Sequence, residues 1–295
     1  MKRLIVITGP TGIGKTNVAI EIAERLGTEI VSADSRQIYR DIPIGTAAPD
    51  VGQLARVRHH FVGTLGLAEY FSAAQYEAEA LEVIARLHSC HDDVVMCGGS
   101  MMYVDAVCRG IDDIPTISSE IRNHLMERYQ RDGIESLRIS LLGYDPEYYR
   151  MVDLNNHRRI IHALEICLQA GVPYSSLRTG EAKKRPFEIV KIALNMPREQ
   201  LFDRINRRVD AMMLEGLEQE ARKVYPLRHL NSLNTVGFKE MFAYFDGTLS
   251  RDTAIERIKK NTRVYAKKQL TWFAKDSQII WCEPSADAVA SIILF

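Results

Sequence analysis

The sequence has no excess of charge of either sign. Its 38 lysines and arginines balance 38 aspartates and glutamates over 295 residues. This excludes a surface that attracts nucleic acid through its overall field, so any contact with a polyanion must be a local patch. Long hydrophobic runs are also missing: none approaches the roughly 20 residues that span a bilayer, and no membrane association is expected. Cysteine is sparse and scattered, at Cys90, Cys97, Cys108, Cys167 and Cys282, with no CxxC pair. That pattern speaks against a zinc site and for reduced thiols in a cytoplasmic protein. Lys2-Arg3 pass directly into a short apolar strand and a phosphate-binding motif, so no cleaved leader is expected, because cleavage would destroy the motif. The composition, 46% hydrophobic and 26% charged, is that of a globular chain. The length suits one large domain or two moderate ones.

What is present is organised around GPTGIGKT, comprising Gly9, Pro10, Thr11, Gly12, Ile13, Gly14, Lys15 and Thr16. It follows the apolar run Leu4-Ile5-Val6-Ile7 and opens an amphipathic stretch from Asn17 to Leu26. Strand, glycine-rich loop and helix in that order form a phosphate-binding loop. The glycines turn backbone N–H groups inward, and the helix N-terminus adds partial positive charge. Lys15 is placed to reach an outer phosphate and the Thr16 hydroxyl to ligate Mg²⁺. The loop predicts binding of a nucleotide such as ATP, or of another diphosphate, without choosing between them.

Further strands are predicted over 29–33, 94–97, 189–194 and 279–282, alternating with helical patterns. The expected fold is therefore α/β, a P-loop NTPase-like parallel-sheet core. Asp34, Ser35, Arg36 and Gln37 follow the second strand, at the sheet edge where ligands bind in such folds. Gly98-Gly99 permit close backbone approach, and Ser100 is either a helix cap or a hydroxyl aimed into the site. Residues 41–71 lack periodicity. The adjacent His59 and His60 have no third ligand nearby, so metal binding there is not favoured. Ser72 is predicted to cap a helix running to His88.

Residues 113–185 read as a mostly helical insertion into a core formed by 1–112 and 186–295. Only Ser140 to Gly143 hints at a strand. Asp145-Pro146 and Asn155-Asn156 look like helix starts. Arg158, Arg159 and His162 open a helix, and cations there oppose the dipole preference, which favours an anionic ligand. The helix after Pro197 carries Arg204 and Arg208 on one face, either as lid cations for a phosphate or as partners of Asp203 and Asp210. Residues 257–268, RIKKNTRVYAKK, hold six cations and no anion. Helical spacing predicts an apolar stripe of Ile255, Ile258, Tyr265 and Trp272, with Lys260, Arg263 and Lys267 opposite. In a neutral chain this points to phosphate-backbone contact. A P-loop kinase and an NTP-dependent RNA-binding protein are both compatible with these features.

Taken together, GPTGIGKT (9–16), DSRQIYR (34–40), IGTAAP (44–49), HHF (59–61), FSAAQY (71–76), CGGSMMY (97–103), GIDDIP (110–115), TVGFKE (235–240) and TRVYAKKQLTWF (262–273) resemble the bacterial tRNA dimethylallyltransferases, or tRNA isopentenyltransferases. The resemblance implies transfer of a dimethylallyl group from dimethylallyl diphosphate to the exocyclic amine of the adenosine 3′ of the anticodon, giving isopentenyladenosine. It implies a tRNA anticodon stem-loop gripped between core and insertion, a Mg²⁺ cofactor and a monomeric enzyme. Lys15, Asp34 and Ser100 are the implied catalytic groups, with Asp34 as general base. The implied tRNA contacts are Asp34, Ser35, Arg36, Gln37, Ser100, Arg122, Arg158, Arg159, His162, Gly237, Lys239, Arg263, Lys267 and Lys268. The family usually has Thr in place of Ser100, Arg in place of His162 and, in many members, Lys in place of Ala48. The zinc finger of eukaryotic relatives is absent from the sequence.

Overall fold

The computed structural model of the chain describes residues 2–294. It divides into two compact units, one formed by the chain up to Cys108 and from Lys184 onward, the other by Arg109–Lys183. In the first unit a six-stranded sheet has the order β3-β2-β4-β1-β5-β6. The strands are β1 Arg3–Thr8, β2 Ile30–Ser32, β3 His59–His60, β4 Asp93–Cys97, β5 Glu188–Leu194 and β6 Ile280–Cys282. Every pairing is parallel. All strands therefore end at one edge, and β1 lies in the interior between β4 and β5.

The apolar runs are continuous because both sheet faces are covered. Along β1, Leu4 and Val6 join one core with Val31, Val94, Met96 and Tyr76. Ile5 and Ile7 join another with Ile30, Val95, Ile192 and Leu194. The second core is closed by α1 (Lys15–Leu26), through Val18, Ala19 and Ile22. Next come α2 (Pro43–Thr46), α3 (Val51–Arg56), α4 (Ala73–His88) and α5 (Met101–Arg109). Ser72 caps α4 in a reciprocal box with Gln75, satisfying two backbone donors. The segment 41–71, aperiodic in sequence, holds the two short helices and the β3 edge strand. Two-residue β3 is too short to show alternation.

The second unit is helical: α6 (Ser119–Tyr144), α7 (Pro146–Met151), α8 (His157–Ala170) and α9 (Tyr174–Leu177). Asp145 and Asn156 cap α7 and α8. Residues 140–143 belong to α6, not to a strand. Leu137 and Leu141, one turn apart, pack on Ile160 and Leu164 of α8, so helical spacing prevails over the short apolar run. Gly133 (φ 72°) breaks α6 into two segments.

The returning chain adds α10 (Arg198–Glu215), α11 (Leu217–Val224), α12 (Phe238–Phe245), α13 (Arg251–Phe273) and α14 (Ala286–Ile293). The predicted stripe of α13 is corrected. Its buried positions are Ala254, Ile258, Ala266, Gln269 and Phe273, whereas Tyr265 and Trp272 are 37% and 39% exposed. Small alanines allow close packing, and a glutamine occupies a core position, so the large apolar residues alone misplace the buried face.

Candidate active site

The loop after β1 is shaped by its glycines. Gly14 adopts a left-handed conformation (φ 99°) immediately before α1, a backbone state that side chains with a Cβ disfavour. The Lys15 ammonium donates to the carbonyls of Gly9 and Pro10, each at 3.0 Å. Burial lowers its pKa to about 8, only partly offset by Cys97 and Asp34 nearby. Neutral carbonyls are weaker acceptors than phosphate oxygens, so this ammonium is held at the loop without being consumed. Two α10 cations reach the same loop. Arg208 Nη1 donates to Thr11 Oγ1 at 3.1 Å and Arg204 Nε to the Gly12 carbonyl at 3.2 Å. Arg207 instead pairs with Asp203. Burial pulls the Arg208 pKa down. Arg204 and Arg208 thus both reach the phosphate loop and pair with neither Asp203 nor Asp210 among the ion pairs of the described residues.

Asp34 stands just beyond β2, two strands from the phosphate loop along the same edge. Its Oδ1 accepts the N–H groups of Arg36 (2.9 Å) and Gln37 (3.2 Å), forming a tight turn. Among the hydrogen bonds of the described residues none uses Oδ2, which leaves one carboxylate oxygen for a ligand. Ser100 does not spend its hydroxyl on capping α5. Its Oγ accepts the Ser35 N–H at 2.8 Å and donates to Ser35 Oγ at 3.1 Å, tying β4 to the Asp34 turn. This joint requires Gly98, where a Cβ would sit 2.1 Å from the Ala33 carbonyl oxygen. Arg36 Nη1 donates to the carbonyls of Asn231 and Ser232, and Gln37 Nε2 to those of Thr46 and Ala47. These two side chains brace the turn.

Two cavities meet at this edge. One, of about 740 Å³, is lined by Gly12, Gly14, Lys15 and Thr16 together with Gln37 and Gln269. The other, of about 550 Å³, is lined by Ser35, Arg36, Ser100, Lys239, Asn261 and Lys268. Thr11, Asp34, Thr46, Arg208, Met212 and Tyr265 line both. Gly237 also borders the smaller cavity. Its N–H is held by Glu240 Oε2 at 2.8 Å, while Glu240 Oε1 accepts from Asn261 at 2.7 Å.

Arg263 and Lys267 turn toward α10. Arg263 donates to Asn206 at 2.5 Å, and the Lys267 ammonium lies 5.5 Å from the Phe202 ring centre. Arg122, Arg158, Arg159 and His162 belong to the helical unit. There Arg122 donates to buried Glu165 at 3.0 Å, His162 stands 3.9 Å from the same carboxylate, and Arg158 and Arg159 are exposed. His60 is paired with Glu29 at 2.6 Å. No group of three metal-ligating His, Cys, Asp or Glu side chains exists among the described residues.

Sequence reasoning missed Gln269 and Glu220. Gln269 Oε1 accepts the Thr11 N–H at 2.8 Å and Nε2 donates to the Gly99 carbonyl at 2.7 Å. The signal was a polar residue at a buried helical position between Ala266 and Phe273. Glu220 accepts from Ile44 and Gly45 at 2.9 and 2.7 Å, anchoring the α2 segment beside the cavities. No local pattern announces that long-range contact.

The sequence profile of the IPP transferase family matches residues 37–276. A tRNA dimethylallyltransferase 1 from Phocaeicola vulgatus is 58% identical over 281 residues, covering 95% of this chain and 94% of the relative. A tRNA dimethylallyltransferase 2 from Parabacteroides distasonis is 54% identical, covering 96% and 95%. Among solved structures, a full-length tRNA isopentenylpyrophosphate transferase from Bacillus halodurans aligns with a TM-score of 0.73 at 35% identity, covering 99% of this chain and 94% of that one. A eukaryotic dimethylallyltransferase acting on tRNA aligns at 0.84 with 25% identity, covering 100% and 78%.

Proposed function

The chain belongs to the IPP transferase family, and from that premise we propose how its site works on a tRNA substrate. It is a tRNA-modifying prenyltransferase. The donor is dimethylallyl diphosphate, and the acceptor is the exocyclic amine of the adenosine 3′ of the anticodon, presented by the anticodon stem-loop. The observation that carries this reading is the meeting of two cavities at Asp34, one walled by a phosphate loop and the other by a mixture of polar and apolar side chains. A diphosphate in the larger cavity and a flipped base in the smaller bring their reacting atoms together where the walls are shared.

The chain's residues then divide the work. Lys15, Arg208 and the loop N–H groups neutralise charge as the C–O bond of the donor breaks and its electron pair leaves with diphosphate. The adenine amine forms the new C–N bond to the same carbon. The nitrogen gains positive charge and gives its proton to Asp34 Oδ2. Ser100 holds the turn that presents Asp34. The Thr16 hydroxyl makes no hydrogen bond among those of the described residues. A single hydroxyl joined by diphosphate oxygens and water matches how Mg²⁺ is bound beside phosphates. Thr16 would hold that ion, which supplies further charge neutralisation on the diphosphate when bound.

Five free thiols support a cytoplasmic location, and no helix of the described residues is long and apolar enough to cross a membrane. The direct test is incubation with labelled dimethylallyl diphosphate and bulk tRNA lacking the modification. Label appearing in RNA, and in an isolated anticodon stem-loop, is expected. Label that stays in the diphosphate with every acceptor would overturn the reading.

A further inference from the structure

Six side chains line both cavities, and their chemistry is uneven: Thr11 and Thr46 are small and polar, Arg208 is cationic, Asp34 anionic and Met212 aliphatic. Tyr265 is the only aromatic among them. It projects from α13 one turn before Gln269, whose amide is fixed to both the phosphate loop and Gly99, so the ring's place along the edge is set by the helix register. The phenol hydroxyl makes no hydrogen bond among those of the described residues, and the residue is 37% exposed. This ring is not part of the buried face that holds α13 in place.

Displacement at an allylic carbon gives that carbon positive charge while the C–O bond loosens ahead of C–N bond formation. On the reading proposed above, with leaving group in one cavity and nucleophile in the other, the carbon lies in the shared zone. An aromatic ring there is attracted to developing positive charge through its quadrupole, without competing for the proton that Asp34 receives. It also offsets the opposing field of Arg208 on the same zone. We propose that Tyr265 is a catalytic residue whose ring stabilises the allylic cation character of the transferring prenyl group. Tyr265 exchanges no atom or electron pair. The C–O pair leaves with diphosphate, the amine lone pair forms the C–N bond, and the proton goes to Asp34.

The test is single-turnover prenyl transfer with both substrates saturating. Tyr265→Phe should stay within about threefold of wild type, since the hydroxyl is not needed. Tyr265→Leu should be slower by about 3- to 30-fold, the span of a cation–π contact, with tRNA and donor affinities unchanged. Phenylalanine analogues carrying one to three ring fluorines at position 265 drain the ring face, and the logarithm of the rate should fall steadily with fluorine count. A rate insensitive to fluorination, with loss only in Tyr265→Leu, would reduce the ring to a space filler and overturn the proposal. Weakened tRNA affinity with an unchanged saturated rate would make it a stacking shelf for the base, and would also overturn it. A wild-type protein that transfers no prenyl group fails differently, because it overturns the prenyl-transfer reading itself.

Discussion

The side-chain amide of Gln269 accepts the backbone N–H of Thr11 at 2.8 Å, so the basic helix α13 is hydrogen-bonded directly to the phosphate loop. The same amide donates to Gly99 at 2.7 Å and is only 1% exposed. One side chain thus sets the spacing between the ends of β1 and β4, where the loop must be rigid to aim its N–H groups. A buried amide with both ends satisfied is costly to replace, since each orphaned partner loses about 1–3 kcal/mol.

Gln269→Leu should therefore raise the KM for dimethylallyl diphosphate by about tenfold, one lost partner's worth. It should lower Tm by several degrees and leave tRNA affinity nearly unchanged, because the amide faces the loop. Steady-state kinetics and thermal melts on the same preparation check this. A wild-type donor KM would show that the loop holds its shape without the tether.

Lys15 gives the site a pH signature. Burial sets its pKa at about 8, below the ordinary 10.5. A folded pKa below the unfolded one means that the charged form is disfavoured in the fold. That cost is fully present below pH 8 and is relieved as pH rises toward 10.5, where the unfolded chain still binds the proton. Lys15→Met should melt above wild type at pH 7, with the gap narrowing between pH 8 and 10. Diphosphate affinity has the opposite slope. Only the ammonium binds the anion, so affinity measured without divalent metal should fall as pH rises through 8, and Lys15→Met should lack that fall. Titration calorimetry across pH 6.5–9.5 decides it, and a flat wild-type profile would remove Lys15 from the diphosphate site.

How far the site was legible in the sequence depended on range. GPTGIGKT, the strand ends at Asp34 and Cys97, and the caps Ser72, Asp145 and Asn156 are local features, and local chemistry decides them. The buried face of α13 was misjudged because Ala254, Ala266 and Gln269 carry little or no hydrophobic weight, yet small or polar side chains suit a helix that lies close to two others and to a loop. The strand hint at 140–143 failed because Leu141 answers to Leu137 and Ile160. The pairings Arg208 with Thr11 and Glu220 with Gly45 join residues far apart in sequence, and only the tertiary packing of α10 and α11 brings them together.

The cations of α13 are not equivalent. Lys260 and Lys267 are exposed, whereas Arg263 is half-buried and donates to Asn206. Lys260→Ala and Lys267→Ala should each flatten the salt dependence of tRNA binding by about one unit of log–log slope, with melting unchanged. Arg263→Ala should also lower Tm, since it breaks a bond between α13 and α10. Filter binding at several salt concentrations separates the cases. If all three variants keep the wild-type slope, the basic face does not touch RNA phosphates.

Asp34 carries the sharpest prediction, because its two oxygens have separate duties. Oδ1 holds the turn through Arg36 and Gln37, and Oδ2 makes no hydrogen bond among those of the described residues, so in the proposed reaction it is the oxygen that meets the substrate amine. Asp34→Asn keeps an oxygen for the turn but loses both the charge and the proton acceptor. Its fold and Tm should therefore survive, while its single-turnover prenylation rate falls by about 10²–10⁴-fold, the usual worth of a positioned base. Asp34→Ala loses the turn bonds as well and should be equally slow but less stable. Affinity for tRNA should change little in either variant, because phosphate contacts dominate it. The measurement is prenyl transfer with saturating tRNA, donor and Mg²⁺, alongside a melt of each protein. If Asp34→Asn works within a few-fold of wild type, the carboxylate serves the turn alone, and the proton must leave through another group bordering the two cavities.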